Sequence, residues 1–178
     1  VIRRGGHVIA ISGNHDNEVF FATLRDALDM AGDGRFRIAS DPEIVRIVDD
    51  EGVEAQFVLM PYPTARAYLS GEAGAAYRTV EEKHTAIQQA FTRQLYAFMM
   101  QLDPKLPTVL VSHVHVRGVS VHTLYKISES EDVVFEPGNI PTNWAYVAYG
   151  HIHKPQAVYA GSEHIRYAGS VERMDVAE

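Results

Sequence analysis

The chain has 178 residues, 46% hydrophobic and 22% charged, with a net charge of −7. That mix fits one ordinary globular domain, or most of a larger one, and excludes a disordered chain, a coiled coil and a collagen-like protein. It has no cysteine, which excludes disulfides, thiolate metal sites and cysteine nucleophiles and fits a cytoplasmic protein.

The acidic balance disfavours non-specific binding to nucleic acid, unless a basic patch or a bound metal supplies local positive charge. No apolar run reaches the roughly eighteen residues of a membrane span, and no basic-then-apolar leader is visible. The first residue is Val1, so an earlier natural start is expected.

His7–Ser12 reads as a short strand buried on both faces. Gly13-Asn14-His15-Asp16-Asn17 is a turn cluster at its carboxyl end. The spacing predicts a helix from Glu18 to Met30, with Phe20, Leu24, Ala27, Leu28 and Ala31 near one face. Asn17 is its N-cap candidate and Gly32 its stop. The apolar face is expected to pack on a sheet.

Strands are then predicted at Ile44–Val48 and Gln56–Met60, joined as a hairpin through Asp49-Asp50-Glu51-Gly52. Residues 62–76 read as a surface loop. Val80–Gln101 is the longest helical pattern, its apolar face carrying Ile87, Ala90, Phe91, Leu95, Phe98 and Met99. Asp103-Pro104 and Pro107 break it.

Thr108–Ser112 is a buried strand that delivers His113-Val114-His115. Residues 117–143 read as irregular, and Ala145–Tyr149 as a further strand ending in Gly150-His151-Ile152-His153. Gln156–Ala160 and His164–Tyr167 read as a closing hairpin around Gly161-Ser162. The mixture is α/β, without repeats or linkers.

Three strands thus stop at a polar cluster containing histidine: Gly13-Asn14-His15-Asp16, Ser112-His113-Val114-His115 and Gly150-His151-Ile152-His153. In α/β folds, sites gather beyond the carboxyl ends of strands, so these clusters converge if the strands are neighbours. Imidazole and carboxamide oxygen suit Mn, Fe or Zn, and a donor set without sulfur argues for the harder ions.

Each cluster alone has a plainer reading. Gly-Asn-His-Asp is also an ordinary turn, and His-x-His pairs are common on strand surfaces. His115 faces the same way as His113 on a strand, or is simply solvated. His7, His84, His122 and His164 have no evident partner and carry no assigned role.

Taken in order, the three clusters resemble the last metal-site motifs of the calcineurin-like metallophosphoesterase superfamily. Gly150-His151-Ile152-His153-Lys154-Pro155-Gln156 and Tyr167-Ala168-Gly169-Ser170-Val171-Glu172-Arg173 look like the DNA-repair exonuclease branch, the SbcD-type nuclease subunits. The resemblance covers nearly the whole chain, with residues 35–105 contributing pattern rather than motif.

The superfamily's first two motifs, Asp-x-His and Gly-Asp-x-x-Asp, are absent from the twelve residues before Gly13. The resemblance therefore implies that residues 1–178 are the C-terminal portion of one nuclease domain. The expected fold is α/β, a metallophosphoesterase-type β-sandwich flanked by helices and lacking its first strands.

By the same resemblance, Asn14, His113 and His151 ligate one of two metal ions, and His153 the other. His15 stabilises the transition state or protonates the leaving oxygen, a role suited to imidazole. Asp16 either orients His15 or caps the following helix. The implied cofactor is Mn²⁺, as ions roughly 4 Å apart that activate a bridging water.

The implied activity is hydrolysis of phosphodiester bonds at DNA ends in double-strand-break processing. The implied partners are an SbcC-type coiled-coil ATPase subunit and, through the neighbourhood of the 18–31 helix, a second copy of the full-length protein; no membrane is involved. This piece alone is expected to bind at most one ion and to cut little DNA. Two other readings stay open: a metallophosphoesterase acting on a small phosphoester, and a non-catalytic scaffold that docks an ATPase.

Overall fold

Two rows of side chains run across the main sheet and set its buried face. In a computed structural model of the chain, residues 6–32, 34–71, 76–121 and 132–172 are described. Strands β3 (Glu43–Val48), β4 (Glu54–Met60), β5 (Thr108–His113), β8 (Tyr146–Gly150), β9 (Gln156–Ala157) and β10 (Ile165–Tyr167) form a six-stranded mixed sheet in the order β3-β4-β5-β8-β10-β9. Register aligns Ile44, Val58, Leu110, Val147 and Ile165 in one row, and Met60, Ser112, Tyr149 and Tyr167 in the next. Alternate residues of a strand share a face, so both rows point to the same side.

Helix α3 (Val80–Met99) covers that side. Thr79 caps it by accepting the Glu82 N–H at 3.1 Å, and Glu82 reaches back to the Arg78 N–H at 2.8 Å. Its expected apolar face is the one used: Ile87, Ala90, Phe91 and Leu95 are buried, and Phe98 and Met99 pack against the same cluster. The helix ends at Met99 rather than Gln101, with Met100 as its cap. Phe91 packs between Tyr68 and Phe135 with tilted rings, their centroids 5.2 and 4.7 Å away.

The β3–β4 hairpin forms as predicted, with Gly52 at φ 82° in its turn. The closing pair also forms, antiparallel between β9 and β10. Several expectations need correction. The chain has a strand β2 (Phe36–Ala39) that the pattern did not reveal, because four residues between turn signals are too short for a clear period. It pairs in parallel with β1 (Val8–Ile11) in a separate two-stranded sheet.

Strand β1 is accordingly half-buried along its length rather than buried on both faces. The stretch 62–76 is not all loop: Ala65–Leu69 forms helix α2, capped by Thr64 and burying Leu69, while 72–75 fall outside the described residues. Within the irregular stretch, β6 (His115–Val116) pairs in parallel with β7 (Val134–Phe135). The segment 122–131, which includes His122, and the tail from Arg173 lie outside the described residues.

Helix α1 (Glu18–Ala31) has the expected N-cap, Asn17 accepting the Phe20 N–H at 2.9 Å, and stops at Gly32. Its packing differs from expectation. No described side chain of α1 is buried, and Phe20 is 61% exposed. The helix packs beside the edge of a two-stranded sheet, which offers too little surface to cover an apolar stripe. No helix among the described residues is long and apolar enough to cross a membrane.

Candidate metal centre

Strands β4, β5 and β8 run parallel, so their carboxyl ends share one edge of the sheet. The end of β1 is tied to that edge: the Tyr62 N–H, just past β4, donates to the Ser12 carbonyl at 3.0 Å. The convergence expected of the three clusters is therefore present.

His113 ends β5 opposite Gly150 of β8. Its ring occupies the space that side chains at two neighbouring positions would need. A Cβ on Gly13 would lie 2.7 Å from His113 Cε1, and one on Gly150 would lie 2.7 Å from His113 Nδ1. The glycines that open two of the motifs thus leave room for the histidine of the third. His113 Nε2 lies 3.0 Å from Asn14 Oδ1, which joins the Gly-Asn-His-Asp turn to the strand end. Burial and the neighbouring His151 push the His113 imidazole down to about 4, so it is neutral near pH 7.

His151 follows Gly150 with φ at 91°, a left-handed backbone that non-glycine residues rarely adopt. Its side chain is 5% exposed. Nε2 lies 2.8 Å from Asp132 Oδ2, and Nδ1 is buried without a hydrogen-bond partner among the described residues. Tyr62 stacks on the ring at 6.0 Å and 25°, and the His113 ring stands 5.3 Å away.

Asp132 was not a sequence candidate. It precedes β7, which α3 holds through Phe91 and through a hydrogen bond from Gln88 to the Val134 carbonyl. Burial alone would raise its carboxyl, but hydrogen bonds from His115, His151 and Tyr62 overturn that and hold it well below the ordinary range. His115 Nδ1 lies 3.2 Å from Asp132 Oδ2, so His115 is a buried, bonded residue rather than a solvated one. His115 sits where it does because the Tyr167 hydroxyl, donating to the Val114 carbonyl and accepting the Val116 N–H, holds the bend after β5.

The ligand atoms of His115, Asp132 and His151 all lie within 4.8 Å of one another, a group that could hold a metal ion. His113 and Asn14 adjoin it, while His153 lies outside it, half-buried, its carbonyl accepting the Ser170 N–H at 2.9 Å. His15 is exposed on the turn. Asp16 is exposed and closes its own turn, accepting the Gly13 N–H at 2.6 Å, while Asn17 caps the helix.

The donor set of imidazole nitrogens and a carboxamide oxygen, with one buried ring nitrogen unsatisfied, fits a divalent ion. Tyr62 could have been found by the strand-end rule, since it too stands past the end of a parallel strand. Asp132 carried no such signal, sitting at the end of an acidic polar run, Glu129-Ser130-Glu131. In the motif after His153, Gln156 supports the fold, its amide clamping both the N–H and the carbonyl of Ser120.

A mixed α/β sheet with a buried imidazole–carboxylate cluster beyond its parallel strand ends defines the class: an α/β domain with a candidate metal centre. No protein-family model matches the chain. Curated relatives carry the resemblance further. The chain is 29% identical over 177 residues to the SbcD subunit of the SbcCD nuclease of Escherichia coli K12, covering 93% of this chain and 42% of that protein. The protein of the same name from Rhodobacter capsulatus is 26% identical over 182 residues, covering 96% and 44%.

The resemblance to SbcD-type nuclease subunits, read from the motifs, is borne out over nearly the whole chain. The chain spans less than half the length of these relatives.

Proposed function

We propose that residues 1–178 are the C-terminal portion of the nuclease domain of an SbcD-type protein, a metal-dependent phosphodiesterase acting on DNA ends in double-strand-break processing. The observation that carries this is the contact of Asn14 with His113 at 3.0 Å, beside His151 with its unsatisfied buried nitrogen. These are the motif residues of three separate strand ends, brought together.

In this reading Asn14, His113 and His151 hold one divalent ion, Mn²⁺, and His153 belongs to a second. Bound ions offset the phosphate's charge and lower the pKa of a coordinated water. The chain's own residues do the rest. Gly13 and Gly150 leave His113 its place, and burial keeps its ring neutral and able to donate a lone pair. Asp16, bonded to the Gly13 N–H, holds the turn that carries Asn14 and His15. His15, exposed on that turn, is available to give a proton to the leaving oxygen.

The whole protein is proposed to act in the cytoplasm as a homodimer with an SbcC-type ATPase. The matching motifs in this piece supply no bridging carboxylate, so by itself it is proposed to bind at most one ion and to cut little DNA. The test is Mn²⁺-dependent cleavage of linear double-stranded DNA by residues 1–178 and by a longer natural product. Cleavage by the longer protein alone supports the proposal. Equal cleavage by 1–178 contradicts the proposed inactivity, and hydrolysis of a small phosphoester without DNA cleavage contradicts the nuclease branch.

A further inference from the structure

The carboxylate of Asp132 has no bonding capacity left over. Oδ1 accepts the Tyr62 hydroxyl at 2.9 Å and the Val133 N–H at 2.9 Å. Oδ2 lies 3.2 Å from His115 Nδ1 and 2.8 Å from His151 Nε2. A carboxylate offers about four lone-pair positions, and four donors occupy them here. Its closeness to two imidazoles has the look of a three-ligand site, yet each of those contacts is already a hydrogen bond.

His151 is the reverse case. One ring nitrogen faces Asp132 and the other is buried without a partner among the described residues. A carboxylate only accepts, so the hydrogen of the His151 ring sits on Nε2 and the lone pair on Nδ1. The same logic places the His115 hydrogen on Nδ1. Tyr62 adds a second restraint, since it bonds Asp132 through its hydroxyl and stacks on His151 through its ring. The ring is thus held in tautomer and in angle on a backbone that already departs from the usual conformations.

We propose that Asp132, backed by Tyr62 and His115, is a positioning residue that fixes the tautomer of His151 and leaves its Nδ1 free for a divalent ion, without ligating that ion itself. The identity of what Nδ1 meets rests on the function proposed above, whereas the brace does not. Carboxylates that orient a ligating imidazole typically change metal affinity ten- to a hundredfold when removed.

The test is a long-range ¹H–¹⁵N correlation spectrum of the histidines in the metal-free, ¹⁵N-labelled chain, with His151 assigned through His151→Gln. The expected result is the Nε2–H tautomer at His151, lost in Asp132→Asn, with Mn²⁺ affinity falling about ten- to a hundredfold in the same variant. Tyr62→Phe is expected to shift both readouts the same way by less. An Nδ1–H tautomer in the parent chain, or an Asp132→Asn variant that keeps both tautomer and affinity, overturns the proposal.

If Asp132→Asn does not fold, Tyr62→Phe and His115→Gln decide, and an unchanged tautomer in both overturns it. If the parent chain binds no Mn²⁺, the metal role of His151 in this piece fails, while the tautomer still decides the brace.

Discussion

The two sides of the candidate centre are held by different means. Asp132, His115 and His151 lie at the end of the six-stranded sheet, the first two buried, and are linked through one carboxylate. Asn14, His15 and Asp16 stand on an exposed turn, carried by a two-stranded sheet and a helix with no buried side chain among those described. The first side is rigid because strand rows and α3 pack against it. The second is tied in locally, by the bond of Asn14 with His113 and by Ser12, which bonds Ala39 and Tyr62. Stability and site geometry should therefore respond very differently to substitutions on the two sides.

The largest effect is expected in the packed body. Phe91 is fully buried, and Phe91→Ala should cost about 3–5 kcal/mol by urea unfolding. Gly150→Ala comes next. The added methyl meets the His113 ring at 2.7 Å, so a loss of about 1–3 kcal/mol is expected, with displacement of His113 visible in its NMR shifts. Asn17→Ala, on the exposed side, should cost about 1 kcal/mol through the lost cap of α1. Phe20→Ala should stay within about 0.5 kcal/mol, because the ring is 61% exposed. A Phe20→Ala cost near that of Phe91→Ala would break the comparison.

Acidity sharpens the same contrast. The folded chain holds the His113 pKa down to about 4, against an ordinary value of 6.5. Between these values the unfolded chain binds a proton that the folded chain refuses, so stability falls as pH drops from 6.5 toward 4. His113→Gln should flatten that slope in urea melts taken across the window. Asp132 acts lower down. Its carboxyl is held below its ordinary 3.8, so its contribution is complete above that value and is lost only in stronger acid.

What could be read from sequence followed from how local each signal was. The amphipathic stripe from Ile87 to Met99 marked α3, and the Asp49–Gly52 turn marked its hairpin, because periodicity and turn chemistry act over neighbouring residues. The motif glycines and histidines could be picked out as strand-end clusters, and the convergence of those on β5 and β8 followed from parallel strands sharing one edge, whereas β1 joins them from its own two-stranded sheet. Strand β2 was too short to show a period. The burial of α1 was overestimated because amphipathicity reports what a helix could cover, not what surface it finds. Asp132 could not be seen, since its importance comes from β6 and β7 meeting under α3, a non-local fact.

The most direct test of the proposed centre is a Mn²⁺ titration of the chain followed by electron paramagnetic resonance, with His113→Gln and His151→Gln alongside. At most one bound ion is predicted in the parent chain, with its loss in both variants. Two bound ions in the parent chain, or undiminished binding when either histidine is replaced, would contradict the assignment.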